Sequence, residues 1–98
     1  MSYSHLVRRD RRRDILAFLD DCAEYTSNGD VILGVLNGLG IGTTRDQLLG
    51  ELAWLAEQGL VTLDETAGFS VVTLLQRGVE VARGIARHPE VSRPRPRR

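Results

Sequence analysis

The stretch Thr44-Arg45-Asp46-Gln47-Leu48-Leu49-Gly50-Glu51-Leu52-Ala53-Trp54-Leu55-Ala56-Glu57-Gln58-Gly59-Leu60-Val61 carries its own start and stop signals. A hydroxyl at Thr44 and an amide at Gln47 make a capping box, in which each side chain satisfies an otherwise unpaired backbone N–H. Leu48, Leu52 and Leu55 then recur at helical spacing, with Leu49 and Ala56 widening the stripe. Gly59 supplies the left-handed residue that ends a helix, and Leu60 can fold back on Leu55. Directly afterwards, Val61-Thr62-Leu63-Asp64 alternates as a strand does.

Working upstream, Ile32, Val35, Leu36 and Leu39 form a second helical stripe. Ser27-Asn28-Gly29-Asp30 is turn chemistry that supplies its N-cap. Gly38, Gly40 and Gly42 end it, with a Schellman contact predicted between Leu36 and Ile41. A first helix is predicted over about 4–25, on Ile15, Leu16, Phe18, Leu19 and Cys22. Arg8 to Asp14 is seven charged residues in a row and predicts a helix with no buried face there. Downstream, Glu65 to Gly68 reads as a turn and Phe69 to Leu74, rich in β-branched residues, as the returning strand. Leu75, Val79, Ala82 and Ala86 predict a last helix from about Leu75 to Arg87.

The chain has 98 residues, enough for one small domain. Residues 1–88 are expected to form it, and 89–98 a basic Pro/Arg tail, extended or disordered. The expected class is mainly α, a small α+β fold. The order helix, helix, helix, hairpin, helix is that of a winged helix-turn-helix.

Thirteen arginines, with no lysine, oppose thirteen acids, so the net charge is zero. The charges are segregated. Residues 1–13 hold five arginines and one aspartate, a net +4; residues 14–92 hold four arginines and twelve acids, a net −8; residues 93–98 hold four arginines, a net +4. No apolar run is long enough for a membrane span or a signal peptide, so no membrane contact and a cytoplasmic location are expected. Cys22 is the single cysteine, which excludes an internal disulfide and a cysteine-rich zinc site.

The chain resembles a small family encoded in Mu-like phages and prophages, whose members are often described as winged-helix or ArsR-like regulators. The resemblance lies in Arg12-Arg13-Asp14-Ile15-Leu16, Leu52-Ala53-Trp54-Leu55, Gly59-Leu60-Val61, Arg77-Gly78 and Arg93-Pro94-Arg95-Pro96. It covers nearly the whole chain and implies the winged-helix fold and a DNA-binding regulatory role in a bacterial host cell. Leu75 departs from the threonine usual in the family at the start of the last helix, which passes the capping role to Thr73.

In a helix-turn-helix the second helix of the pair enters the major groove by its N-terminal residues. Here these are Thr43, Thr44, Arg45 and Gln47. Arginine reads guanine, glutamine reads adenine, and threonine hydroxyls hold phosphate. The alternative is that Thr44 and Gln47 only cap the helix and Arg45 is solvated. Asp46, Glu51 and Glu57 oppose DNA contact, as does a wing carrying Asp64 and Glu65 with no base. Arg8, Arg9, Arg12 and Arg13 with their neighbour Arg11, and the tail residues Arg93, Arg95, Arg97 and Arg98, form the expected phosphate-holding set. The alternatives for these are a solvated helix end with a solubilising tail, or folding back onto the acids Asp20, Asp21 and Glu24.

No catalytic residues, metal ligands or cofactor are expected. Gly38-Leu39-Gly40-Ile41-Gly42-Thr43-Thr44 lacks the preceding strand and following lysine of a phosphate loop. The expected function is a DNA-binding regulatory protein of phage or prophage origin, with double-stranded DNA as partner and a homodimer formed through the first and last helices. The competing expectation is a non-enzymatic protein-interaction module that keeps the fold without DNA contact and takes a phage or host protein partner.

Overall fold

The computed structural model describes residues 2–66 and 68–96. Four α-helices and a three-stranded antiparallel sheet form a small α+β fold. The elements are α1 (Tyr3–Asp21), β1 (Thr26–Asn28), α2 (Gly29–Gly38), α3 (Arg45–Glu57), β2 (Val61–Thr66), β3 (Phe69–Leu74) and α4 (Gln76–Ala82), with a single 3-10 turn at Ala23–Tyr25. The sheet order is β1-β3-β2, so the returning strand is central. Met1, Ala67, Arg97 and Arg98 lie outside the described residues, and with them part of the expected 65–68 turn and the end of the tail.

The predicted helix ends form as the residues dictate. Thr44 Oγ1 accepts the Gln47 N–H at 3.1 Å, and Gln47 Oε1 accepts the Thr44 N–H at 2.9 Å. Gly40 takes φ 84°, and the Ile41 N–H reaches back to the Leu36 carbonyl at 2.9 Å. Gly59, at φ 73°, closes α3 the same way, with Leu60 N–H on the Leu55 carbonyl at 3.1 Å.

Three expectations need correction. The turn before α2 is also a strand: Thr26–Asn28 pairs with Val71–Thr73, and Thr26 and Thr73 share a hydroxyl hydrogen bond of 2.9 Å. This edge strand is only three residues long, too short to show alternation. Asn28 caps α2, its Oδ1 accepting the Val31 N–H. Second, α4 ends at Ala82 because Gly84, at φ 78°, turns the chain, so Ala86 is not helical. Third, Thr73 lies inside β3 and caps nothing; Leu75 is the N-cap of α4, without a side-chain hydrogen bond. Gly78 answers a different need. It packs under the Leu60 carbonyl, which also accepts the Leu75 N–H at 2.9 Å, and a Cβ there would collide with that oxygen.

The core gathers Ile15, Leu16 and Leu19 of α1, Ile32 and Leu36 of α2, Leu48, Leu52 and Leu55 of α3, and Val72 and Leu74 of β3. Val79 and Val81 of α4 close one side. Val91 also belongs to it, so the chain after α4 packs back before its last residues: the Ser92 N–H reaches the Arg9 carbonyl at 3.2 Å.

Candidate nucleic-acid interface

The charged run of α1 has a buried face, contrary to the expectation that Arg8 to Asp14 has none and projects into solvent or lies against a partner. Arg11, Arg12 and Asp14 are all buried. Arg12 and Arg11 sit one turn before Ile15 and Leu16, so they continue the apolar stripe in register. Opposite them is Glu51, at a stripe position of α3 between Leu48 and Leu55. Arg12 Nε donates to Glu51 Oε1 at 2.8 Å, and Arg11 lies 3.7 Å from the other carboxylate oxygen. Arg11 also donates to Thr43 Oγ1 at 3.0 Å and to the Gly42 carbonyl at 3.2 Å. The net stabilisation from such a pair is small, because burial costs both ions their hydration; removing one partner alone is expensive.

Arg12 has two further partners. Its guanidinium lies 3.7 Å from the Trp54 ring centre, a cation–π contact, and it donates to the Glu90 carbonyl at 3.1 Å. Trp54 therefore packs inside the fold, edge-on to His88 at 5.1 Å. The Glu90 N–H donates to His88 Nδ1, which assigns the proton to Nε2, 2.9 Å from Gln58 Oε1. Burial, together with Arg77 and Arg12, pushes the His88 pKa below its ordinary 6.5 and keeps the ring neutral.

Arg13 and the tail meet on Asp14. Arg13 Nε donates to Asp14 Oδ1 at 3.0 Å and Arg95 donates to Oδ2 at 2.9 Å. Arg13 also reaches Asp10, which accepts from the Ser92 hydroxyl. Burial alone would raise the Asp14 pKa, but the hydrogen bonds from Arg95 and Arg13 outweigh it and hold the carboxyl below its ordinary 3.8. The basic tail thus folds back, but onto Asp14. Of the acids expected to receive it, Asp20 holds Arg83 instead, at 3.0 Å.

At the start of α3, Thr43 is buried and its Oγ1 both receives Arg11 and donates to the Ile41 carbonyl. Thr44 and Gln47 are occupied with capping, as their alternative reading had it. Arg45 is exposed and pairs with Asp30 at 2.7 Å. Of the residues singled out from sequence, Arg12, Arg13, Arg95 and Thr43 are therefore committed inside the fold or to Asp14.

Arg8, Arg9 and Arg93 are placed differently. Exposed Arg8 lines an open concavity of about 360 Å³ with Asp46, Gln47, Gly50 and Trp54, so it stands beside the outer face of α3. Arg9 and Arg93 line another with Arg87, which composition alone did not single out. The exposed positions of α3 are Arg45, Asp46, Gln47, Leu49, Gly50, Ala53 and Glu57, so its exposed face carries one base, and that one is paired with Asp30. Leu49 and Phe69 of β3, which is 59% exposed, line one crevice together with Asp30 and Arg45.

Other chemistry is sparse. Cys22 is half-buried, and burial and Asp21 raise its pKa, which makes the thiol less nucleophilic. Among the described residues, no three His, Cys, Asp or Glu side chains converge to hold a metal ion, and no helix is long and apolar enough to cross a membrane.

No protein-family model matches the chain, and no solved structure does. Two proteins are similar to it. The uncharacterized protein gp26 of Escherichia phage Mu is 45% identical over 92 residues, spanning 94% of this chain and 95% of its own. An uncharacterized protein of Haemophilus influenzae is 35% identical over 78 residues, spanning 79% of this chain and 76% of its own. Identity of that extent over nearly the full length of both chains makes this protein a member of the gp26 family of phage Mu.

Proposed function

We propose that the chain is a non-enzymatic, DNA-binding regulatory protein of phage origin, built as a winged helix-turn-helix and acting in the host cytoplasm. α2 and α3, joined by the glycine turn at 39–44, are the helix pair, and β2–β3 is the wing. The observation that carries the reading is the position of Arg8. It shares a concavity with Gln47 and Gly50 on the exposed side of α3, so a cation flanks the helix that would enter the groove. Gly50 and Ala53 leave that side of α3 low enough for a close approach. Arg45 lies at the helix start, within reach of a base edge or phosphate once it leaves Asp30. With Arg12 and Arg13 internally paired, affinity rests on a few phosphate contacts, and sequence discrimination on Arg45 is modest.

Two copies would pair through α1 and α4, matching a two-fold DNA site. Tyr3 and Leu6, apolar and exposed at the start of α1, support such a contact.

A second reading, a protein-interaction module, is favoured by the crevice at Leu49 and Phe69. Its apolar pair, beside an Asp30 that Arg45 already neutralises, suits a protein surface better than phosphate. Titration of the purified protein against a pool of duplexes at low salt separates the two. The DNA reading expects binding that weakens steeply as salt rises. Absence of duplex binding, with stoichiometric capture of a protein partner that Phe69→Ser abolishes, would establish the second reading instead.

A further inference from the structure

We propose that two copies of the chain dock by reciprocal insertion: Tyr3 and Leu6 of each copy enter the hollow between α1 and α4 of the other. This contact details the homodimer named above and rests on that part of the reading alone, not on DNA binding.

Knob and hollow lie on one face of one helix. Tyr3, Leu6, Asp10, Arg13, Ala17 and Asp20 recur at alternating intervals of three and four residues, the spacing of a helix–helix seam. The core residues Ile15, Leu16 and Leu19 point to the opposite side, so this seam faces outward. At its start Tyr3 is 83% and Leu6 43% exposed. At its end two small side chains, exposed Ala17 and Ala82 of α4, help line a hollow of about 450 Å³. Asp20, Asp21, Arg83 and Arg95 line it too.

An antiparallel pair of α1 helices about a two-fold axis matches the whole seam at once. Leu6 meets the partner's Ala17, a large apolar side chain over a small one. Tyr3 meets the partner's Asp20 and Asp21. There its phenol can donate to the exposed Asp21 carboxylate, and its ring can lie against half-exposed Arg83. In the middle, Ser92 and Arg95 cross the seam on Asp10 and Asp14. The crossing tail fills the space between the helices, and Asp10 faces the partner's Arg13 and Arg95 across it. A two-fold contact requires a surface complementary to itself. This one is so in shape at both ends and in charge at the middle. A parallel alignment would instead set Asp10 against Asp10 and Arg13 against Arg13.

The other side of the α1 start is already fixed. His5 lies 3.1 Å from Glu90, and Arg12 donates to the Glu90 carbonyl. The knobs are therefore held before docking, which lowers the ordering cost of association. An aromatic anchor seated in a hollow is the kind of contact that carries most of an interface's affinity.

The test is sedimentation velocity of the full chain without DNA, across the micromolar range. Tyr3→Ser/Leu6→Ser removes the knobs, and Ala17→Trp fills the hollow. All three positions are exposed, and circular dichroism checks that each variant is folded. Ala17→Gln stands in if Ala17→Trp is not. Wild type is expected to dimerise, and each variant to raise the dimer Kd at least about tenfold. Mixing the two variants should restore a heterodimer, because the intact knobs of one fit the open hollow of the other. Wild type that stays monomeric, a dimer that either variant leaves unweakened, or no gain on mixing overturns the proposal. Duplex binding is scored separately. A dimer formed as described that ignores duplex leaves the contact standing and fails the DNA reading alone; duplex bound by a monomeric wild type overturns the contact alone.

Discussion

Arg8 and Arg12 stand one turn apart on α1, on the same side of the same helix, and meet opposite fates. Arg12 is 6% exposed, bonded to Glu51, stacked on Trp54 and tied to the Glu90 carbonyl. Arg8 is exposed and faces an open hollow. The difference lies in what α3 places opposite. Near Arg12 it offers a carboxylate on its inner stripe; near Arg8 it offers Gln47, Gly50 and Asp46 on its outer edge. What α3 places opposite each turn, rather than helical phase, thus divides the charged run into residues that hold the fold together and residues left exposed. Net charge along the sequence does not reveal this division.

The largest effect expected from breaking this contrast is on its buried side. Glu51→Ala leaves two buried guanidinium groups without their carboxylate and should cost about 3–5 kcal/mol in urea denaturation. Arg8→Ala should change stability by less than about 0.5 kcal/mol. Next comes Asp14→Asn, which weakens the hold on Arg13 and on half-exposed Arg95. A loss of about 1–2 kcal/mol is expected in the same assay, discounted for the solvent around Arg95. The released arginines should tighten duplex binding at low salt, and unchanged or weaker binding would mean that they face away from the DNA.

The smallest effects are pH-dependent. His88 is held neutral in the fold, so the unfolded chain protonates first as pH falls. Stability should be intact above about pH 6.5 and decline below it as the folded value is approached. Trp54 fluorescence, edge-on to the ring, should report the same titration, and His88→Gln should remove it. Asp14 has the same sign at lower pH. Its lowered pKa means that stability is lost as pH falls below 3.8 through the folded value.

Much of this was legible in the sequence. The capping box at Thr44, the glycine stops at Gly40 and Gly59 and the stripes of three helices follow from local chemistry. The Arg12–Glu51 pairing was legible too, though in a less obvious way. Extending the Ile15/Leu16 stripe back one turn gives Arg11 and Arg12, and Glu51 falls on the Leu48–Leu55 stripe. Opposite charges on two inward stripes imply a buried pair. The early stop of α4 at Gly84 was signalled by the glycine itself and masked by the helical spacing of Ala86. Other features had no local signal. β1 exists only because β3 offers Thr26–Asn28 a partner, and the Arg9–Arg87–Arg93 hollow joins residues about eighty positions apart. Both depend on tertiary pairing, which spacing along one chain does not encode.

The division of the charged run is tested most directly by the salt dependence of duplex affinity in two neighbouring variants, Arg8→Gln and Arg13→Gln. Loss of a phosphate contact lowers the slope of log affinity against log salt by about 1. The account predicts that reduction for Arg8→Gln and an unchanged slope for Arg13→Gln, whose arginine serves Asp14. Equal reductions in both, or a reduction in Arg13→Gln alone, would contradict it.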